Sequence, residues 1–163
     1  MGVLRALLFA VAGAAALLLL AAQAGALRGR MPDDLGLRDG RLKRPSSTPN
    51  SVSSQADLWP DHPQRDDARI AAFAPVKGDG AATLAALRTL LQRWPGATVV
   101  TDRPDYLYVQ FQTRVLKFVD DAEFWLDPQT QLVHVRSASR IGRKDFGVNR
   151  ERVEAIRAAL TAR

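Results

Sequence analysis

The chain contains no cysteine among its 163 residues. That excludes disulfides, thiolate metal sites and a cysteine nucleophile, while leaving the compartment open. Histidine is almost as scarce, with His62 and His134 the two present. A histidine-rich metal site is therefore not expected, and no metal or cofactor is assigned. Residues 1–30 carry three arginines and no acidic residue. There is no GxxxxGK[ST] string for a nucleotide and no internal repeat.

What is present is a long apolar run. Between Arg5 and Arg28, Gln23 is the one clearly polar residue. As a helix this stretch would extend about 33 Å, enough for a hydrocarbon core of about 30 Å. Residues 1–27 are thus read as a membrane anchor or a signal peptide. Length favours the anchor. Arg5, followed by the small-residue strings Ala22-Gln23-Ala24 and Ala24-Gly25-Ala26, fits the cleavable alternative. Arg28, Arg30, Arg38, Arg41, Lys43 and Arg44 follow the run, and by the positive-inside rule alone they would keep the remainder in the cytoplasm.

Residues 28–68, with five prolines and a Ser/Thr/Asn cluster, read as a linker on which Trp59 is available for packing. Residues 69–163 read as one domain. Its expected elements begin with a strand at Ile70–Val76. A helix N-capped by Asp79 follows, carrying Leu84, Leu87, Leu91 and Trp94 and stopped by Pro95-Gly96. Strands are expected at Ala97–Thr101, Tyr106–Thr113, Phe118–Leu126 and Leu132–Ser139. A register centred on the Asp127-Pro128-Gln129-Thr130 turn would pair Phe124 with Val133, Glu123 with His134 and Asp121 with Arg136. Asn149 is the expected N-cap of a last helix, with Val148 and Val153 as its hydrophobic staple and Val153, Ile156 and Leu160 as its apolar stripe. The order β-α-β-β-β-β-α predicts an α+β fold, an antiparallel sheet of about five strands with two helices on one face.

Three groups of residues bear on function. Residues 136–163 hold eight basic and three acidic groups, a concentration that suits an anionic partner. Within it Arg136, Ser137, Ser139, Arg140, Asn149 and Arg150 surround a glycine-bearing loop and form a candidate anion site; the bland alternative is that the arginines pair with Asp120, Asp121 and Asp145. Asp121, Glu123 and His134 form a second cluster, suited to acid/base work or, more plainly, to cross-strand pairing. Asp120 falls on the opposite face. Tyr106, Tyr108 and Trp125 share the non-helical face, open to a ligand or covered by the linker.

The strings Phe118-Val119-Asp120-Asp121-Ala122-Glu123-Phe124, His134-Val135-Arg136-Ser137-Ala138-Ser139-Arg140-Ile141-Gly142 and Asp145-Phe146-Gly147-Val148-Asn149-Arg150, with Pro49-Asn50-Ser51-Val52-Ser53-Ser54 upstream, resemble domain-of-unknown-function family 1499. The resemblance covers about residues 45–160. It implies a bacterial or plastid-associated setting, often behind a signal or membrane segment, and no established activity. Ser51 stands where the family often has cysteine, so a thiol role there is lost. The family setting favours an extracytoplasmic domain.

The expected function is non-catalytic: a membrane-associated or exported domain binding an anionic ligand, a lipid headgroup or an envelope partner. A structural or assembly protein of the envelope is the first alternative. An enzyme using Asp121, Glu123 and His134 is the second. Nucleic acid is not an expected partner, and the oligomeric state is left open.

Overall fold

A computed structural model describes residues 2–76 and 78–162. The apolar run forms helix α1, Gly2–Gln23, long and apolar enough by length and composition to cross a membrane. Its side chains are exposed to Ala21, and Ala22 is the first buried one. The domain is built from β1 (Ser51–Ser53), a one-turn helix α2 (Arg65–Ala68), α3 (Gly80–Leu91), β2 (Ala97–Arg103), β3 (Tyr106–Gln112), β4 (Val119–Leu126), β5 (Val133–Ser139) and α4 (Val148–Thr161). The strands form one antiparallel sheet in the order β1-β5-β4-β3-β2. The expected α+β class and strand number therefore stand.

Alternation along the strands creates the core. Leu107, Val109 and Phe111 of β3, Ala122, Phe124 and Leu126 of β4, and Val133 and Val135 of β5 turn to one face. There they meet Leu84, Leu87 and Leu91 of α3 and Val153, Ile156 and Leu160 of α4. The Asp79 side chain caps α3 by accepting from the Ala82 amide, as the sequence predicts.

Three local expectations are corrected. First, Ile70–Val76 is not a strand: Phe73 exchanges one pair of hydrogen bonds with Val133, and Pro75, which has no N–H, cannot extend a ladder. The edge position belongs to β1, inside the segment read as a linker, with Ser51 opposite Ala138 and Ser53 opposite Arg136.

Second, the β4–β5 register lies two residues from the expected one: Leu126 faces Val133, Phe124 faces Val135, Glu123 faces Arg136 and Asp121 faces Ala138. The cause is a wider turn. Asp127 N–H donates to Leu132, and Gln131 donates back to Asp127 from a left-handed backbone (φ 61°). A slip of two preserves every face but changes every partner.

Third, Asn149 does not cap α4. The carboxylate of Asp145 does so, accepting from the amides of Gly147 and Asn149. Asn149 lies inside the helix, and Val148 is exposed rather than stapled to buried Val153.

Candidate functional site

An extended strap, residues 30–47, crosses the sheet face that carries no helix. It has no apolar periodicity, yet it is fastened at several points. The Gly36 amide donates to Glu123 Oε1 (2.7 Å) and the Leu42 amide to Gln55 Oε1 (2.8 Å). Gln55 Nε2 donates to the Gly40 carbonyl, and Arg136 Nε to the Arg44 carbonyl. Leu42 is buried against Tyr106, Tyr108 and Trp125, with Leu35 and Leu37 alongside. The aromatic face is thus covered by chain that the sequence marks as linker.

Beneath the strap the polar side chains form two adjoining groups. In one, Arg140 binds Asp121 with two parallel contacts (Nε–Oδ2 2.8 Å, Nη2–Oδ1 2.7 Å), and Tyr108 Oη donates to the same carboxylate. Two charged hydrogen bonds in a fixed plane make this pair geometrically rigid. In the other, Tyr106 Oη donates to Glu123 Oε1 (2.8 Å). Burial, reinforced by the Glu123 charge, drives the Tyr106 hydroxyl well above its ordinary range, so it remains a donor.

Arg136 is only 3% exposed and sits between these groups. Its Nη1 lies 3.9 Å from Glu123 Oε2, beyond hydrogen-bonding range. Among the described residues, Glu123 Oε2 is buried without any hydrogen-bond partner. Burial raises the Glu123 carboxyl and lowers the Arg136 guanidinium, in each case against the attraction of the other. Both directions say that desolvation outweighs this pairing.

A cleft of about 400 Å³ opens along the strap beside Arg136. Arg30, Lys43, Arg44, Arg136 and Arg140 line it, against the carboxylates of Asp34 and Asp121. Lys43 pairs with Asp34 at 2.5 Å and Arg140 with Asp121. The lining holds five cations against two carboxylates; Arg30 also lies 3.7 Å from exposed Asp33 and Arg136 3.9 Å from Glu123, so the excess of positive charge rests chiefly on Arg44.

The six residues of the expected anion site divide between the two faces. Arg136 and Arg140 turn to the cleft, whereas Ser139, though it lines the rim, turns its hydroxyl to Asn149 on the helix face. Ser137 points to the helix face and donates to Asn149 Oδ1; Asn149 Nδ2 in turn donates to Ser139 Oγ, Asp145 and the Asn50 carbonyl. Arg150 donates to the carbonyls of Asp67 and Arg69. Ser137, Asn149 and Arg150 thus tie β5, α4 and the approach to β1 together. On the same face Arg152 pairs with Asp120 and lies over the Phe111 ring.

Asp121, Glu123 and His134 do not converge. Asp121 is held by Arg140 and Glu123 by Gly36 and Tyr106. His134 stacks on Trp125, its Nδ1 is 3.1 Å from Ser54 Oγ, and burial lowers its pKa. The expected partners Glu123–His134 and Asp121–Arg136 are replaced by Glu123–Arg136, which follows from the two-residue slip, and by Asp121–Arg140, a diagonal contact, since Asp121 faces Ala138.

Sequence reasoning missed the strap residues Asp34, Gly36, Lys43 and Arg44. The one available signal was the apolar trio Leu35, Leu37 and Leu42, out of place in a solvated linker.

No curated protein and no solved structure matches the chain. Residues 41–160 match the family model described as protein of unknown function (DUF1499), an interval that includes β1 through all but the last residue of α4 and the C-terminal end of the strap. With well over half of its length covered, the chain belongs to the DUF1499 family.

Proposed function

We propose that this is a non-catalytic domain, held at a membrane by α1 on the extracytoplasmic side, that binds a small oxyanion in the cleft between strap and sheet. The ligand class is a phosphate or carboxylate group. The observation that carries the reading is Arg136. A guanidinium this deeply buried ordinarily has its donors filled. Among the described residues, Arg136 makes one hydrogen bond, through Nε to the Arg44 carbonyl, and has its nearest carboxylate oxygen at 3.9 Å.

An oxyanion in the cleft would supply the missing acceptors, and the planar fork of an arginine suits two oxygens of one group. Arg44 and Arg30 at the exposed rim add attraction. Arg140 contributes less, because Asp121 already occupies it. The separate partners of Asp121, Glu123 and His134 give the hydrolytic alternative no support.

The test is calorimetric titration of the full chain in detergent with inorganic phosphate and with acetate. Binding to the unaltered chain, together with a thermal midpoint that rises with ligand, is expected. Arg136→Gln should weaken binding about tenfold or more, the value of one charge-assisted hydrogen bond. Surface Arg88→Gln should leave it unchanged. Absence of both heat and thermal shift in the unaltered chain, or unchanged affinity in a folded Arg136→Gln chain, would refute the reading.

A further inference from the structure

The β3–β4 connection and the segment after β5 leave the same end of the sheet, because β3, β4 and β5 are successive antiparallel neighbours. We propose that these two loops, residues 113–118 and 141–148, form a face that docks on the surface of an anionic lipid bilayer. The inference is independent of any ligand in the cleft and rests on α1 lying in that bilayer.

The first support is where α1 ends. Gln23 Nε2 donates to the Val115 carbonyl at 3.0 Å. A few residues on, Gly29 is pressed against the second loop. Its φ is +69°, and a Cβ there would stand 2.7 Å from Arg140 Cβ and 2.9 Å from Ile141 Cγ1. The chain leaving the helix therefore runs directly onto both loops. A bilayer containing α1 would have its interface at this end of the domain.

The second support is composition. Outside α1, Val115, Ile141, Phe146 and Val148 are four of the seven large apolar side chains exposed among the described residues. Their gathering at one end of one sheet is unlike the scattered exposure of an ordinary surface. Ile141, Phe146 and Val148 border a shared groove of about 300 Å³ with Phe118 and Thr113 of the other loop. Phe146 is 89% exposed and adopts a left-handed backbone (φ 55°), a costly conformation for a bulky residue, and the ring is held in solvent rather than folded into that groove.

The third support is charge. Arg114, Lys117, Arg143 and Lys144 stand in the two loops, and Arg28 and Arg30 follow the helix. The acid among the loop residues, Asp145, is committed to capping α4. Apolar side chains interleaved with cations are what an interfacial segment requires: the former enter the boundary of headgroups and acyl chains, and the latter reach lipid phosphates. Continuity with the anchor and this charge pattern select a lipid surface over a protein partner.

Full-length Phe146→Trp and Leu58→Trp chains test the proposal when reconstituted in vesicles whose phosphatidylcholine carries brominated acyl chains, with and without phosphatidylglycerol. Leu58 is exposed and follows β1, at the opposite end of the sheet. Fluorescence of the Phe146→Trp chain should be quenched at least about twofold more than that of the Leu58→Trp chain, as interfacial insertion of the loop requires. The difference should widen with phosphatidylglycerol. Equal quenching in chains that float with the vesicles would overturn the proposal and leave the loops as a protein-docking face. Failure to float would overturn it by removing the bilayer from that end. A difference that phosphatidylglycerol does not change would overturn the electrostatic half.

Discussion

Along β4 the two faces of the sheet are both buried, by different means. Every residue of β4 is buried. On one side Ala122, Phe124 and Leu126 meet α3 and α4. On the other, Asp121, Glu123 and Trp125 meet a strap with no regular structure. The helix face is closed mainly by apolar side chains that need no fixed partner, with the Asp120–Arg152 and Ser137–Asn149 pairs beside them. The strap face is closed over charges that each need one. Burial of the first kind supplies stability roughly in proportion to area. Burial of the second kind supplies a fixed geometry at an energetic cost, and Arg136 and Glu123 show that cost incompletely recovered.

Perturbing each face in turn should separate these contributions. The largest effect is expected on the helix face: Phe124→Ala should lower stability by about 3–5 kcal/mol, read as a fall in the urea midpoint at unchanged slope. A loss below about 1 kcal/mol would mean the helix face is not the main store of stability.

A smaller and conditional effect is expected beneath the strap. Glu123→Gln leaves the Arg136 charge buried without its carboxylate, a loss of roughly 3 kcal/mol. The double replacement Glu123→Leu with Arg136→Met should restore most of it. If the double variant is as unstable as the single one, the pair is stabilising and the contrast between the faces fails.

The smallest effect is in the pH dependence. His134 has its pKa lowered in the fold, chiefly by burial. Its contribution is therefore fully present above the unfolded histidine pKa, near about 6.5, and is lost as pH falls through the lower folded value. Stability of the unaltered chain should decline over that acidic range relative to His134→Gln, measured by thermal melts at constant ionic strength. Parallel profiles would mean His134 titrates as though exposed.

The sequence was legible where order is local. Alternation in β3 and β4 and the spacing of Leu84, Leu87 and Leu91 were enough to assign the helix face. The β4–β5 register was not, because nothing in Gln129-Thr130-Gln131 announces a glutamine in a left-handed backbone. The N-cap of α4 was misassigned between two good capping residues, Asp145 and Asn149. The positive-φ pair Phe146-Gly147 decided in favour of the first. The strap and β1 were illegible for a different reason. Their order depends on Glu123, Arg136 and Ser139, far along the chain, and one-sided periodicity cannot show such pairing. Of the six residues of the expected anion site, Arg136 and Arg140 turn to the strap face, while Ser137 turns to the helices, since neighbouring residues of a strand face opposite ways.

The fastening of β1 has a kinetic consequence. Asn50 exchanges contacts with Ser139 and accepts from Asn149, the latter 99 residues later, and Ser51–Ser53 find their ladder on β5. These are contacts of high sequence separation, which close slowly because the intervening loop must first be ordered. During synthesis, strap and β1 emerge early and must wait, unpaired, until β5 and α4 have followed. The α3–β2–β3–β4 region can collapse by local contacts in the meantime, so the cleft is expected to be among the last features to form. A chain that delays its own closure in this way leaves the strap and β1 open to solvent until β5 and α4 have been made.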